Sequence, residues 1–361
     1  MKMWYVSCKR IVPAQVLSGH RMDARNGAGG HVDINTIAKM AGVSRATVSR
    51  YFNNGYVSEE KRRTIAKVVE QTGYVPSQQA QTLRTGKTNL VGVILPKVNS
   101  YAVGRMLAGI SLSFADTPYQ MLLADTNNNK DAEVSYLQLF ANRNQVDGLI
   151  FIATVFDQAH LDAIAALKCP LVVLGQDLEG HTSVYNDDYR SMYWLVRKVL
   201  KHGEHPAYIG VLEEDESAGQ GRHRGFLDAC RDAGVEVPPQ AQAVSAFTLD
   251  SGYLCAEKIF DAYPECDTLV CASDNIAYGA MTCAKEYGKR VPEDVQITGV
   301  GDGDLSRVVT PTLTTIHHHY KTAGREAARI LLQAMQGAPE VSREIRMGYD
   351  IQIRNSTRSE G

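Results

Sequence analysis

The sequence lacks any long apolar segment. No run of apolar residues approaches the roughly 18 that a membrane-spanning helix needs. Residues 1–31 carry basic side chains but no continuous apolar stretch, so they do not form a convincing secretory signal. These absences argue against a membrane protein and against a secreted one, and we expect a cytoplasmic location.

Cysteine is scarce and shows no pattern. The seven cysteines form no CxxC pair and have no metal-site spacing, so we expect reduced thiols rather than a disulfide framework. The chain also lacks a Walker loop, a GxSxG motif and an HExxH motif. We therefore expect neither a cofactor nor an enzyme activity.

Three consecutive histidines, His317 to His319, suggest a metal site. On a strand, however, neighbouring side chains point to opposite faces, so at most His317 and His319 share a side. We therefore favour a site without metal.

The charge is small overall but unevenly distributed. The 361 residues carry a net charge of −2, yet residues 1–31 hold five Lys and Arg against one Asp. Residues 32–90 hold nine Lys and Arg against four Asp and Glu, whereas residues 91–361 hold 24 against 35. A small basic module joined to a large acidic body is typical of a protein that contacts a phosphate backbone at one end. Chance clustering is the alternative.

Residues 35–53, NTIAKMAGVSRATVSRYFN, predict two short helices joined by a tight turn. Ile37 and Ala41 have the spacing of one buried helix face. Gly42 suits the left-handed conformation that ends many helices, and Ser44 suits the N-cap of a second helix. This order is typical of a helix-turn-helix.

The second of these helices has an apolar face formed by Val48 and Phe52. Small, polar and basic side chains remain for its outer surface: Arg45, Ala46, Thr47, Ser49 and Arg50. Such a helix can enter the major groove of DNA with its N-terminal side chains near base edges. A helical hairpin without a role in DNA binding is the alternative.

A third helix is predicted to start at Ser58 and to end at Gly73. The segments IAKMAGVSRATVSRYFN and VSEEKRRTIAKVVEQTGYVPSQQAQTLRTGKTNLVGVILP follow each other in the chain. In this order they resemble the lactose repressor family of bacterial transcription regulators. The resemblance implies a repressor in the bacterial cytoplasm, associated with the nucleoid, that binds palindromic double-stranded operator DNA as a homodimer.

From Leu90 onward, short apolar segments alternate with helical patterns. This alternation predicts an α/β fold with parallel sheets. The predicted buried parallel strands are LVGVILP, YQMLLADT, VDGLIFIA, PLVVLGQ, HPAYIGVL, TLVCAS and VQITGVG. Ligands bind such sheets at the carboxyl ends of the strands.

The resemblance implies an all-α helix-turn-helix headpiece followed by a two-lobed core like that of type I periplasmic binding proteins. The core would contain parallel, doubly wound sheets, and the chain would cross between its lobes three times. The implied segments are an extension or disordered tail at 1–31, a headpiece at 32–76, a hinge helix and linker at 77–89, a core at 90–356 and a tail at 357–361. Lobe one would contain 90–187 and 319–347, and lobe two 188–318 and 348–356.

The resemblance also implies which residues contact DNA. Arg45, Ala46 and Arg50 match the main base-reading positions of the family, although either arginine alone would equally suit a phosphate contact. Side chains suited to phosphates, or to fixing the helices, are Ser44, Thr47, Ser49, Asn53 and Tyr56.

Residues 77–83 resemble the hinge helix of the family, which is too short to be stable alone in water. Leu83 matches the apolar side chain that the family inserts into the minor groove. Ala80 would let two hinge helices approach closely. Simple packing of a linker is the alternative.

Effector-binding candidates are polar and aromatic side chains near the ends of the predicted strands: Ser100, Tyr101, Asp125, Gln176, Arg222, Phe247, Ser273, Asp274, Asp302 and His318. Arg222 matches the ligand-clamping arginine of the family, and Phe247 matches an aromatic that packs on the ligand. Arg222 in a salt bridge, and the Asp and Ser residues as helix caps, are the alternatives. One departure from the family is Gly301, which replaces the first of two adjacent acids, so the role of Asp302 is open.

The implied effector is a small sugar or sugar phosphate that changes operator affinity. The segments VVLGQ, GVGDGD and TTIHHHYKTAG look most like the sucrose and β-fructoside operon repressors of the family. A solute-binding protein for sugar transport would also have two lobes, but it would not explain the basic N-terminal helices.

Overall fold

The chain divides into two compact units, Met1–Ser77 and Gln78–Gly361. The computed structural model describes residues 32–53, 55–74, 86–141, 146–338 and 341–358. The N-terminal extension and the predicted hinge residues Ala80 and Leu83 lie outside these ranges. Across the described ranges, no helix is both long enough and apolar enough to cross a membrane.

The first unit contains three helices: α1 (Ile34–Met40), α2 (Arg45–Phe52) and α3 (Glu59–Thr72). They pack around Ile37, Val48 and Ile65, one apolar side chain from each helix, and all three are fully buried. A core built in this way fixes the angle between α1 and α2 and leaves the outer face of α2 uncovered.

The ends of these helices follow from local chemistry. Ser44 caps α2, because its Oγ accepts a hydrogen bond from the Thr47 amide at 3.2 Å. Gly42 and Gly73 have φ angles of 63° and 62°, which glycine adopts without steric cost. Ser58 occupies the N-cap of α3, but its side chain makes no capping hydrogen bond. The predicted helix-turn-helix is confirmed.

The second unit contains two sheets with helices on both faces. Its helices are α4 (Tyr101–Phe114), α5 (Lys130–Ala141), α6 (Gln158–Ala165), α7 (Asp188–Val199), α8 (Arg222–Asp232), α9 (Leu249–Ala262), α10 (Asp274–Glu286) and α11 (Tyr320–Met335). Its strands are β1 (Leu90–Leu95), β2 (Gln120–Asp125), β3 (Gly148–Ile152), β4 (Leu171–Leu174), β5 (Thr182–Asn186), β6 (Pro206–Gly210), β7 (Gln242–Val244), β8 (Thr268–Cys271), β9 (Gln296–Val300), β10 (Thr314–His318), β11 (Glu344–Met347) and β12 (Tyr349–Gln352).

Each sheet has six strands and a doubly wound order. The first sheet has the order β2-β1-β3-β4-β5-β11, with every pair parallel. The second has the order β7-β6-β8-β9-β10-β12, and only β12 runs antiparallel. The order reverses beside β1 and beside β6, and such switch points are where ligands bind open α/β sheets.

The chain passes between the two sheets three times, as the family resemblance implies. The crossings follow β5, β10 and β11. After the first crossing α7 packs on the second sheet, and after the second crossing α11 packs on the first. We use lobe one for the first sheet with its helices and lobe two for the second.

Three features differ from the sequence prediction. The segment YQMLLADT forms β2 but is not buried, because β2 is an edge strand and Leu122 and Leu123 are 42% and 46% exposed. The short or polar strands β5, β7, β10 and β11 were not predicted, since they carry little apolar pattern. Thr357 and Arg358, assigned to a tail, instead hydrogen-bond to lobe two, where the two Oγ1 atoms of Thr357 and Thr314 lie 2.7 Å apart.

Candidate functional site

The outer face of α2 is the exposed surface of the helix-turn-helix. Arg45, Ala46 and Arg50 are exposed, whereas Thr47 and Ser49 are half-buried. Arg50 Nε lies 3.4 Å from the Ala46 carbonyl oxygen, so its guanidinium extends along the helix surface. Two arginines that flank a small side chain can reach guanine acceptors on both sides of it.

Two further DNA-contact candidates flank this face. Tyr56 is 88% exposed in the segment between α2 and α3. Asn53 lies at the C-cap of α2, where its side-chain amide donates to the Ser49 carbonyl. Arg62 of α3 donates to the Gly55 carbonyl at 3.4 Å and lies over the Tyr51 ring, so it fixes this segment to the helices.

The effector candidates lie beside the carboxyl ends of strands in both sheets. In lobe one, Ser100 occupies the N-cap of α4 without a side-chain capping hydrogen bond, Tyr101 begins α4, Asp125 ends β2 and Gln176 follows β4. In lobe two, Phe247 follows β7, Ser273 caps α10, Asp274 begins it, Asp302 follows β9 and His318 ends β10. Contacts that join the lobes include the hydrogen bond from Tyr101 OH to the Asp302 carbonyl at 3.2 Å and that from Ser217 Oγ to the Gly175 carbonyl at 3.0 Å.

Arg222 lies at the centre of a buried polar cluster. Its partner there, Asp188, was not predicted from the sequence. The guanidinium Nε donates to Asp188 Oδ1 at 2.7 Å, and Nη1 donates to the Ala272 carbonyl at 2.6 Å. His318 Nε2 lies 3.4 Å from the same Asp188 oxygen. Burial opposes the ionisation of Asp188, but Arg222 and His318 outweigh it and hold the pKa of this carboxyl well below its usual range.

This cluster joins the parts that cross between the lobes. Asp188 begins α7 directly after the first crossing, and His318 ends β10 directly before the second. Arg222 therefore has the salt bridge that the sequence left as an alternative. The sequence feature that could have indicated this salt bridge is the pair of adjacent acids Asp187 and Asp188. Asp187 caps α7, and Asp188 is buried.

Several buried polar atoms near the crossings have no hydrogen-bond partner among the described residues. They include Gln176 Oε1, Asn186 Oδ1 and Nδ1 of His318. The Gln176 amide nitrogen donates to the Thr154 carbonyl, which orients the side chain. Buried polar atoms without partners are costly, so hydroxyl groups of a ligand would stabilise them.

Asp302 is held by basic side chains of lobe two. Its carboxylate accepts hydrogen bonds from Arg354 and from Arg307 Nη2, the latter at 2.9 Å, and His317 Nδ1 lies 2.9 Å away. Burial raises the pKa of this carboxyl, but the two arginines outweigh burial and lower it. In this structure the Asp302 side chain stabilises the turn that follows β9, while its backbone carbonyl accepts the hydrogen bond from the Tyr101 hydroxyl.

Asp274 stabilises the same turn with its carboxylate. Its carboxylate accepts hydrogen bonds from the Gly303 amide at 2.8 Å and from Thr315 Oγ1 at 2.5 Å. Gly301 has a φ of 138°, a conformation that side chains rarely adopt. Burial, only partly offset by these hydrogen bonds, raises the pKa of Asp274 to about 6.

We expect Asp274 to make folding stability depend on pH. A carboxyl with a pKa near 3.8 when unfolded and about 6 when folded binds its proton more tightly in the folded state. Its contribution is therefore greatest below pH 4 and decreases as the pH rises towards 7. Relative to Asp274→Asn, the free energy of unfolding should fall by about 2 kcal/mol between pH 4 and pH 7. Urea unfolding of both proteins across this range measures the difference, and parallel curves would contradict the prediction.

The three histidines pair with three different carboxylates. His317 contacts Asp302, His318 lies near Asp188, and His319 Nε2 lies 3.4 Å from Asp350. The centroids of the His317 and His319 rings lie 5.0 Å apart, at the end of β10. Within the described ranges, no three His, Cys, Asp or Glu side chains are placed to hold a metal ion.

A basic helix-turn-helix unit and a two-lobed α/β unit with a polar cluster at its crossings together define a class of ligand-responsive DNA-binding proteins. Residues 33–77 match the model of bacterial regulatory proteins of the lacI family, and residues 199–357 match that of periplasmic binding protein-like domains.

The sucrose operon repressor of Staphylococcus xylosus is 32% identical over 84% of this chain and 94% of its own length. The ribose operon repressor of Bacillus subtilis is 30% identical over 91% of this chain and 99% of its own. The solved lac repressor dimer bound to operator and the anti-inducer ONPF has a TM-score of 0.81 and 22% identity, covering 91% of this chain and 99% of that one.

The chain belongs to the lacI family of bacterial regulatory proteins. It is a DNA-binding transcriptional regulator, and both the predicted family and the predicted fold class are confirmed.

Proposed function

We propose that this protein represses a carbohydrate-utilisation operon and that a small sugar or sugar phosphate, bound between its lobes, changes its operator affinity. The buried cluster of Arg222, Asp188 and His318 in lobe two carries the proposal, because Asp188 and His318 lie at the first two crossings to lobe one, where a ligand bound between the lobes would lie. The relatives named as sucrose and ribose operon repressors support a carbohydrate effector. We also propose that the protein is cytoplasmic and has no enzyme activity.

The effector site would consist of the side chains near the carboxyl ends of the strands in both lobes. Arg222 would hold paired hydroxyl or phosphate oxygens with its fork of donors. Phe247 is 45% exposed and would pack on a sugar ring. The other proposed contacts are Ser100, Tyr101, Asp125, Gln176, Ser273, Asp274, Asp302 and His318. Titration calorimetry with sucrose, sucrose 6-phosphate, fructose and ribose tests this site, and the absence of heat with all four would count against it.

The operator site would be the outer face of α2. Arg45, Ala46 and Arg50 would contact base edges, and Ser44, Thr47, Ser49, Asn53 and Tyr56 would contact phosphates or fix the helices. Ala80 and Leu83 would act in the hinge at the operator centre. The proposed segment boundaries are those given from the sequence, with Thr357 and Arg358 added to lobe two.

We expect Arg50→Ala to weaken operator binding by about 1–3 kcal/mol and to relax the preference at one base position, because a bidentate contact to guanine would be lost. Fluorescence anisotropy with the operator and with a scrambled duplex of the same length measures both effects. Equal weakening on both duplexes would assign Arg50 to a phosphate instead.

One headpiece contacts few bases, so the proposal includes a homodimer that reads two inverted half-sites. The exposed leucines of the edge strand β2 leave apolar surface that a second subunit would cover. We expect sedimentation at micromolar concentration to give about twice the chain mass. A purely monomeric protein with undiminished operator affinity would contradict the dimer.

A further inference from the structure

Lobe one contains two buried titratable side chains, Glu133 and His160, outside the polar cluster at the crossings. His160 is fully buried and Glu133 is 2% exposed. His160 Nε2 lies 3.1 Å from Glu133 Oε2, and His160 Nδ1 lies 2.7 Å from Asp157 Oδ1. The imidazole is stacked on Phe151, with 6.1 Å between ring centroids. One connected network therefore joins α5 to α6.

Each end of this network holds a different loop. Glu133 Oε1 accepts a hydrogen bond from Thr126 Oγ1 at 3.2 Å, in the loop that follows β2. Asp157, in the loop that follows β3, accepts from the His160 backbone amide at 3.1 Å as well as facing the ring. The contact between Glu133 and His160 thus links loop 125–129 to loop 153–157.

Both loops lie at the carboxyl edge of the first sheet and carry parts of the proposed effector site. Asp125, the last residue of β2, leads into the first loop. Thr154, in the second, presents the carbonyl that orients the Gln176 side chain. A shift of either loop would therefore move a proposed ligand contact, although neither Glu133 nor His160 would touch the ligand.

We propose that Glu133 and His160 are positioning residues that couple these two loops and thereby set the geometry of the lobe-one half of the effector site. The effect on ligand binding rests on the proposed effector function. The coupling between the two loops does not, because it is a property of lobe one alone.

The hydrogen positions follow from the contacts. We assign a proton to Nδ1, because the Asp157 carboxylate oxygen 2.7 Å away can only accept, whereas the Asp157 amide lies further off at 3.4 Å; Nε2 is then able to accept a proton from Glu133. Glu133 Oε2, 3.1 Å from this nitrogen, is then the donor, and burial, which raises the pKa of the Glu133 carboxyl, acts in the same direction. A neutral donor of similar shape, the amide of glutamine, should therefore replace this carboxyl.

Amide hydrogen exchange on the intact chain tests the coupling, because exchange reports local opening. We expect Glu133→Ala to speed exchange roughly tenfold in loop 153–157, and His160→Ala to do the same in loop 125–129. Glu133→Gln should keep both loops within about twofold of the parent chain. Thr126→Val, a milder change, should affect loop 125–129 alone.

The control is Asp267→Ala. Asp267 accepts hydrogen bonds from the backbone amides of Glu204 and His205 at the amino ends of lobe-two strands, so its loss should lower the melting temperature without affecting either loop. If each loop responds only to the residue that holds it directly, the coupling is disproved. The same holds if Glu133→Gln behaves like Glu133→Ala.

Calorimetry with sucrose, sucrose 6-phosphate, fructose and ribose then tests the consequence. We expect Glu133→Ala to weaken binding of whichever sugar the parent chain binds by roughly tenfold, and Glu133→Gln to restore it. If the parent chain binds none of them, the proposed effector class fails, while the exchange data still decide the coupling. Unchanged affinity in Glu133→Ala would overturn the positioning role.

Discussion

Replacing Arg222 by alanine is expected to lower the free energy of unfolding by about 3–5 kcal/mol, since the Asp188 carboxylate would remain buried without its main partner. The Ala272 carbonyl would also lose a hydrogen bond. The same change should abolish any response of operator binding to sugar. Chemical unfolding and operator titration with sucrose, fructose and ribose measure the two effects.

A double substitution separates stability from function. In Arg222→Met with Asp188→Leu, both buried charges are removed, and well-packed apolar replacements of buried ion pairs are often neutral or stabilising. We expect this variant to regain most of the lost stability but not the sugar response. If the double variant still responds to sugar as the parent chain does, Arg222 is not part of the effector site.

Substitution of Gly109 by alanine should have a comparable effect on folding. An added Cβ at this position would lie 2.0 Å from the Lys321 carbonyl oxygen and 2.8 Å from the Arg325 amide nitrogen. Gly324 approaches α4 equally closely, because its Cβ would lie 2.1 Å from the Met106 carbonyl oxygen. Since backbone atoms form this crossing of α4 and α11, the helices would have to separate, at a cost of about 3 kcal/mol.

The same helix supplies the control. Gly104 is exposed, and its added Cβ would meet nothing within 4 Å. Gly104→Ala should therefore raise the free energy of unfolding by about 0.5–1 kcal/mol, because alanine favours helix. Thermal unfolding of both variants gives the comparison. Similar small effects at both positions would mean that α4 and α11 do not approach as described.

The predictable parts of this fold are those that depend on local chemistry. The helix-turn-helix was readable because Gly42 and Ser44 mark the turn and because Ile37 and Val48 follow a helical period. The central strands were readable because they are buried on both faces and therefore continuously apolar. The edge strand β2 was misjudged as buried, since its sequence resembles theirs and exposure depends on which strand lies beside it.

The candidate site was only partly predictable. Predicted strand ends located Gln176 and Asp274, because polar side chains that follow parallel strands lie at the carboxyl edge of their sheet. Asp188, the partner of Arg222, was missed because an acidic residue in the first turn of a helix is common and because Arg222 lies 34 residues further along the chain. The basic side chains that hold Asp302 include Arg354, 52 residues further along the chain, and such long-range pairing leaves no local signal.

Operator binding by the purified chain, with and without sugar, tests the central claim most directly. The probe is the DNA upstream of the chain's own gene, compared with a scrambled duplex at low and at moderate salt. We predict tight binding to the upstream DNA alone, with an affinity that changes when sucrose, sucrose 6-phosphate, fructose or ribose is added. Equal affinity for both duplexes at each salt concentration, whichever sugar is present, would contradict the account.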